Sequence, residues 1–151
     1  MNPTLDDLKK LFSRDLGLLA DEINAYPTEE SLWAIDGQIK NTGGNLCLHL
    51  CGNLQHFVGA VLGKSGYVRD REAEFSDKGI PKATLLGQVR ATREIVNTTL
   101  GQLTGAQLAE EYPIQVFGEP MGTGYFLIHL LAHLTYHRGQ INYHRRLLAD
   151  R

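Results

Sequence analysis

Cysteine is scarce in these 151 residues, with two in all. Cys47 and Cys51 stand four apart in one apolar-periodic stretch. They form neither a CxxC pair nor a disulfide framework, and burial as small apolar side chains is the simpler reading. A basic block is also missing. Fifteen Lys and Arg against seventeen Asp and Glu leave a net charge of −2, which argues against nucleic acid or an anionic membrane as the main partner. No apolar run approaches the roughly 20 residues of a membrane span. Residues 1–7 lack the basic start and apolar stretch of a signal peptide, so the expected location is the cytoplasm. No internal repeat or low-complexity tract interrupts the chain, and its length suits one domain, 1–151, with a core of its own.

What the chain does have is helical periodicity. Leu5, Leu8, Leu11, Phe12, Leu16, Leu19 and Ile23 predict a first helix over residues 4–25, with Pro3 in its first turn and Pro27 stopping it. Residues 28–44 read as a polar connection whose Trp33 and Ile35 form a short apolar plug or a brief extended piece. A second helix is expected over 45–62, capped by Thr42 or Asn45, with Leu46, Leu50, Leu54, Phe57 and Val61 on its core arc. A stripe of Gly52, Gly59 and Gly63 beside that arc would let another backbone approach. A charged loop, 63–75, precedes a third helix over 81–103, marked by Leu85, Val89, Ile95, Val96 and Leu100. Residues 104–123 form a long connection in which 110–117 would make a short strand, limited to an edge by Pro113. The last helix covers 124–148. Four long amphipathic helices with little strand predict an all-α fold, a four-helix bundle, and the long connections permit crossovers.

Histidine is concentrated where chemistry would need it. Four of six lie on the last helix, and His129, His133 and His137 are spaced one turn apart, so neighbouring rings stand one above another. Phe126, Leu130, Leu134 and Ile141 define the apolar arc. His137 falls near its middle, His133 to one side and His129 at its edge. Two imidazoles aimed inward need partners, because an unpaired polar group is costly to bury. A shared metal satisfies both; a pair of hydrogen-bonded core or rim histidines is the alternative. A metal would need a third ligand from a facing helix, and His49, with Asn53 one turn on, is the best placed. His56 lies nearly two turns further, roughly 10 Å, and reads as a rim residue or dimer contact. His144 is equally far beyond His137.

The segment from His133 to Gln140, with its HxxxHRGQ pattern, resembles the signature of the DinB/YfiT-like metalloenzyme superfamily. The stretch from His49 to Leu54 is similar to the helix that supplies the first histidine there. Residues 67–75 resemble a loop of an uncharacterised DUF1572-type subfamily. The resemblance implies a four-helix bundle with crossover connections, often a homodimer. It also implies a divalent metal, zinc or nickel, held by His49, His133 and His137. Some relatives are transferases that use a low-molecular-weight thiol. Three neutral imidazoles leave a zinc ion with an open position, the arrangement of a catalytic site, suited to activating a thiol or water. The expected activity is therefore thiol-dependent transfer or metal-assisted hydrolysis of a small molecule, with a non-enzymatic metal- or ligand-binding dimer as the alternative.

Other residues carry weaker expectations. Gln140 and Asn53 are candidates to orient the ligands from behind, and for Gln140 a helix–helix hydrogen bond serves equally well. Gly139 would permit close helix approach, and Arg138 would pair with an acid elsewhere. Arg69, Arg71 and Glu74 read as loop salt bridges or an anion site at the mouth. No carboxylate falls on the inward faces of the two histidine-bearing helices, so no general base is evident.

Overall fold

The Asn2 side chain accepts a hydrogen bond from the Leu5 amide (3.1 Å) and opens the first helix, where Pro3 sits in a turn whose N–H groups lack intrahelical partners. The computed structural model describes residues 2–150. Helix α1 spans Pro3–Asn24 and buries Leu5, Leu8, Phe12, Leu16, Leu19 and Ile23 on one face. It ends just ahead of Pro27, as the sequence predicts. The connection that follows contains a 3₁₀ turn, Glu30–Trp33. Leu32 is its buried plug, whereas Ile35 is exposed, so the extended apolar piece is not formed.

Helix α2 spans Gly43–Leu54, with Thr42 rather than Asn45 as its cap; the Thr42 hydroxyl accepts from the Asn45 amide at 3.1 Å. All twelve of its residues are buried. A helix enclosed on every side must satisfy its own polar side chains. Asn45 does so by donating to the carbonyls of Glu74 (3.0 Å) and Asp77 (2.8 Å). The expected single helix to residue 62 is corrected at Leu54. There the chain widens into a π turn, Gln55–Ala60, with Val61 and Gly63 bonding back to the carbonyls of His56 and Val58. Such turns inside helices gather near functional sites. The Tyr112 hydroxyl donates to the Phe57 carbonyl (2.5 Å), tying the later connection to this turn.

The charged loop holds an unexpected short helix, α3 (Arg71–Ser76), capped by Asp70, whose carboxylate accepts from the Ala73 amide. Helix α4 spans Lys82–Gln102 and buries Thr92 and Thr99 along with Leu85, Val89, Val96 and Leu100. Helix α5, Gly105–Ala109, starts with a capping box made by Thr104 and Gln107. The strand expected over 110–117 is absent. Among the described residues only two isolated bridges occur, Asp36 with Ile39 and Glu111 with Gly122. Helix α6 spans Thr123–Leu148.

The fold is all-helical among the described residues. Helices α1 and α2 each pack against both α4 and α6, while α3 covers α2 and α5 leans on α6. Polar pairs fix the register of α6 on α1. Asp15, fully buried, accepts from the Thr135 hydroxyl and faces Arg138, whose Nε is 4.0 Å away. Glu22 accepts from Asn142 (2.8 Å) and Arg145 (3.1 Å). Arg138 thus points away from His137 toward an acid on another helix, as expected. No helix of the described residues is long and apolar enough to cross a membrane.

Candidate metal centre

Helix α2 supplies one imidazole and α6 two, and the packing of these helices closes the gap between them. His49, His133 and His137 each offer a ring nitrogen within 4.8 Å of the others. The Nε2 atoms of His49 and His133 are 3.1 Å apart. Two imidazoles on one zinc at about 2.0–2.1 Å stand about 3.4 Å apart in a tetrahedral arrangement, so this pair already has the required span. His137 meets both rings edge-on, with centroids 5.3 Å from His49 and 4.5 Å from His133. Three histidines from two helices therefore converge where the sequence places them.

Two of the rings are held from behind. His49 Nδ1 donates to Glu74 Oε1 at 3.0 Å, and His137 Nδ1 donates to Gln140 Oε1 at 2.7 Å. A proton committed on Nδ1 leaves the Nε2 lone pair turned toward the shared centre, the tautomer a metal ligand requires. Gln140 is fixed in turn, its amide donating to the Tyr136 hydroxyl (3.2 Å). Burial lowers His133 to about 3, helped by the repulsion that His137 and His49 would exert on a second positive charge. Burial also lowers His137, against the opposing pull of its bond to Gln140. Both imidazoles are neutral near pH 7, the form that binds metals. The donor set fits a divalent ion.

Glu74 has a role behind His49 that the sequence did not show. It is 6% exposed and comes from α3, outside either histidine-bearing helix. Arg69 holds it in a fork, Nε to Oε2 at 2.8 Å and Nη2 to Oε1 at 2.9 Å. Burial alone would raise its pKa, but the bonds from His49 and Arg69 overcome that and hold the carboxylate below its usual range. The salt-bridge reading holds for Arg69 and Glu74, a pair that also buttresses His49, and fails for Arg71, which makes no ion pair among the described residues. A Cβ on Gly52 would collide with Glu74 Oε2, so this glycine makes the room. The glycine stripe therefore admits side chains rather than a backbone: Glu74 at Gly52, Ile95 at Gly59 and Thr99 at Gly63. Asp70 followed by two acids in the first turn was the signal for α3.

The other candidates separate clearly. Asn53 is buried, but its Oδ1 has no hydrogen-bond partner, and no side-chain hydrogen bond joins it to His49. Gly139 faces open space, so the expected close approach of another helix of this chain is not made. His56 is half-buried against Phe57 and stands apart from the three-histidine group. His129 is exposed and stacks on Phe126. His144 is buried with both ring nitrogens bonded, Nδ1 to the Tyr26 hydroxyl (2.6 Å) and Nε2 to the Ala34 carbonyl (2.7 Å). Cys47 and Cys51 are free and buried.

Residues 2–151 match the model of a family described as "Protein of unknown function (DUF1572)". No curated protein matches the chain.

Proposed function

We propose, from the premise that this chain belongs to the DUF1572 family, that it holds one divalent metal ion, zinc or nickel, on His49, His133 and His137. The observation that carries the proposal is the pair of outward hydrogen bonds, His49 to Glu74 and His137 to Gln140, which turn two Nε2 lone pairs toward a third imidazole. The HxxxHRGQ pattern adds the reading of a DinB/YfiT-like four-helix bundle with crossover connections. The packing of α1 and α2 against both α4 and α6 supports that architecture.

The proposed activity is low-molecular-weight-thiol-dependent transfer, or metal-assisted hydrolysis, of a small molecule. When bound, the ion supplies Lewis acidity that activates a thiol or water at neutral pH. The chain's own groups do the rest. Glu74 and Gln140 hold imidazole protons at Nδ1 and so fix ring orientation. Arg69 keeps Glu74 ionised, and a negative partner behind a ligating histidine raises its basicity. Glu74 has both oxygens committed to His49 and Arg69, which suits it to positioning rather than to taking a proton from substrate.

A homodimer is part of the proposal, and a non-enzymatic binding dimer is the competing reading. Tyr125, Ile128, Tyr136, Tyr143 and Leu147 are all exposed along one face of α6, with Gly139 among them. An apolar stripe of this kind favours a helix-to-helix contact between copies. Protein purified without a histidine tag should carry close to one equivalent of metal, or take up that amount on titration. Less than about a tenth of an equivalent of Zn, Ni, Mn or Fe, with no uptake, would remove the metal proposal, since a site preformed this well binds its ion tightly. With metal loaded, thiol and electrophile assays separate the enzyme from the binding dimer: turnover unchanged in His137→Ala would end the catalytic reading.

A further inference from the structure

A cleft of about 290 Å³ opens beside His49 and His133, at the small end of the range for ligand sites. Its walls differ in chemistry from the bonded interior around it. One wall is aromatic. Phe117, 53% exposed, stands 5.0 Å from the His129 ring and 6.0 Å from Phe126, and His129 lies parallel to Phe126. An exposed phenyl group beside two further rings is a surface prepared for something flat and apolar. Polar side chains also line the cleft. Arg69 is occupied by Glu74, but Arg71 makes no ion pair among the described residues and only rests over Phe75, 5.4 Å from the ring centroid. Asn53 lines the same cleft. It is 7% exposed, and its Oδ1 is buried with no partner. A buried carbonyl oxygen without a partner at the edge of a cavity calls for a hydrogen-bond donor on the molecule that enters.

We propose that this cleft is the substrate pocket of the histidine cluster and that it selects a small aromatic anion. The ring lies against Phe117, Phe126 and His129, while the anionic group faces Arg71 at the mouth. The polar end of such a molecule then sits next to the face of His49 and His133. The inference deepens the metal reading and rests on it for the chemistry, though the recognition stands on the cleft alone. Charge decides the sign of the ligand. The Glu74 carboxylate is neutralised by Arg69, which leaves Arg71 as the uncompensated charge at the mouth. Aromatic character comes from the three rings.

The test uses metal-free protein and 2-naphthoate, followed by its fluorescence, with 2-naphthamide and cyclohexanecarboxylate for comparison. Saturable 1:1 binding of 2-naphthoate is expected, about tenfold tighter than 2-naphthamide, the worth of one charge-assisted contact. Arg71→Gln should abolish that preference for the anion while leaving 2-naphthamide bound as before. Phe117→Ala should weaken both aromatic ligands and leave cyclohexanecarboxylate unchanged. Arg71 and Phe117 are exposed, so these variants keep the fold. Equal affinity for acid and amide, or for the aromatic and saturated acids, would overturn the assignment. Zinc titration of the same samples separates the two readings. Zinc uptake without saturable 2-naphthoate binding overturns the pocket and leaves the metal centre standing. Binding of 2-naphthoate without zinc uptake supports the pocket and removes the metal centre.

Discussion

His133 and His144 belong to the same helix, eleven residues or about 16 Å apart, and their surroundings are opposite. His144 gives one ring nitrogen to the Tyr26 hydroxyl and the other to the Ala34 carbonyl. Nothing is left over for a ligand. His133 turns Nε2 to another imidazole, and its Nδ1 is buried without a partner. Burial lowers the pKa of both, so burial alone does not tell a ligand from a brace. The difference lies in what the ring nitrogens face. Where backbone and hydroxyl groups satisfy a histidine, the residue holds the fold. Where imidazoles face each other and ring nitrogens are left unsatisfied, the group could hold a metal ion.

The comparison breaks most sharply on ligand removal. His133→Ala and His137→Ala should each lower zinc affinity by more than the roughly 10–100-fold that outer partners are worth. His49→Ala should do the same and His56→Ala should not. Equal losses at His49 and His56 in a zinc titration would mean that the wrong histidine has been chosen. His144→Ala should leave zinc affinity unchanged.

The next effect sharpens the bracing. Glu74→Gln keeps the shape but loses the charge that fixes His49, and zinc affinity should fall by roughly 10–100-fold with little change in fold. Calorimetric titration of zinc into the variant measures it. An unchanged affinity would reduce Glu74 to an ion-pair partner of Arg69.

His144→Ala supplies the converse. It strips a partner from the buried Tyr26 hydroxyl, which keeps the Ile141 carbonyl, and one from the half-buried Ala34 carbonyl, at a cost of about 1–3 kcal/mol. Urea unfolding of the metal-free protein should show that loss, whereas a variant as stable as the parent would contradict the structural role.

The smallest effect is on pH. The folded state holds His133 at about 3 and keeps His137 and His144 below their usual value of 6.5. Between pH 6.5 and about 3 the unfolded chain therefore binds more protons at these groups, and stability rises with pH across that window. Their full contribution is present above pH 6.5 and drains as the pH falls. Metal-free protein should unfold at lower urea on going from pH 7 to pH 5, and His133→Asn should flatten the trend. A flat profile in the parent would mean that the rings are protonated without penalty.

Much of this was legible from spacing. The four-residue interval puts His133 and His137 on one face of α6 whatever the tertiary packing, and a mid-helix histidine on α2 was the natural third. Spacing carries no such meaning in a loop. Glu74 could not be placed on a face until Asp70 was seen to cap α3, and its depth depends on Gly52 lying opposite it. The π turn after Leu54 was hidden for a related reason, since a five-residue hydrogen-bond step leaves the local composition unchanged. The strand expected at 110–117 failed because its apolar residues answer to the cleft and the core individually: Tyr112 is buried, while Ile114 and Phe117 are exposed.

One measurement bears on the centre of the account more directly than the rest, X-ray absorption at the metal edge of tag-free, zinc-loaded protein. Three imidazole nitrogens at about 2.0–2.1 Å, with oxygen or sulfur completing the shell, are the predicted result. A shell with fewer than two imidazoles, or one dominated by carboxylate oxygen, would contradict it.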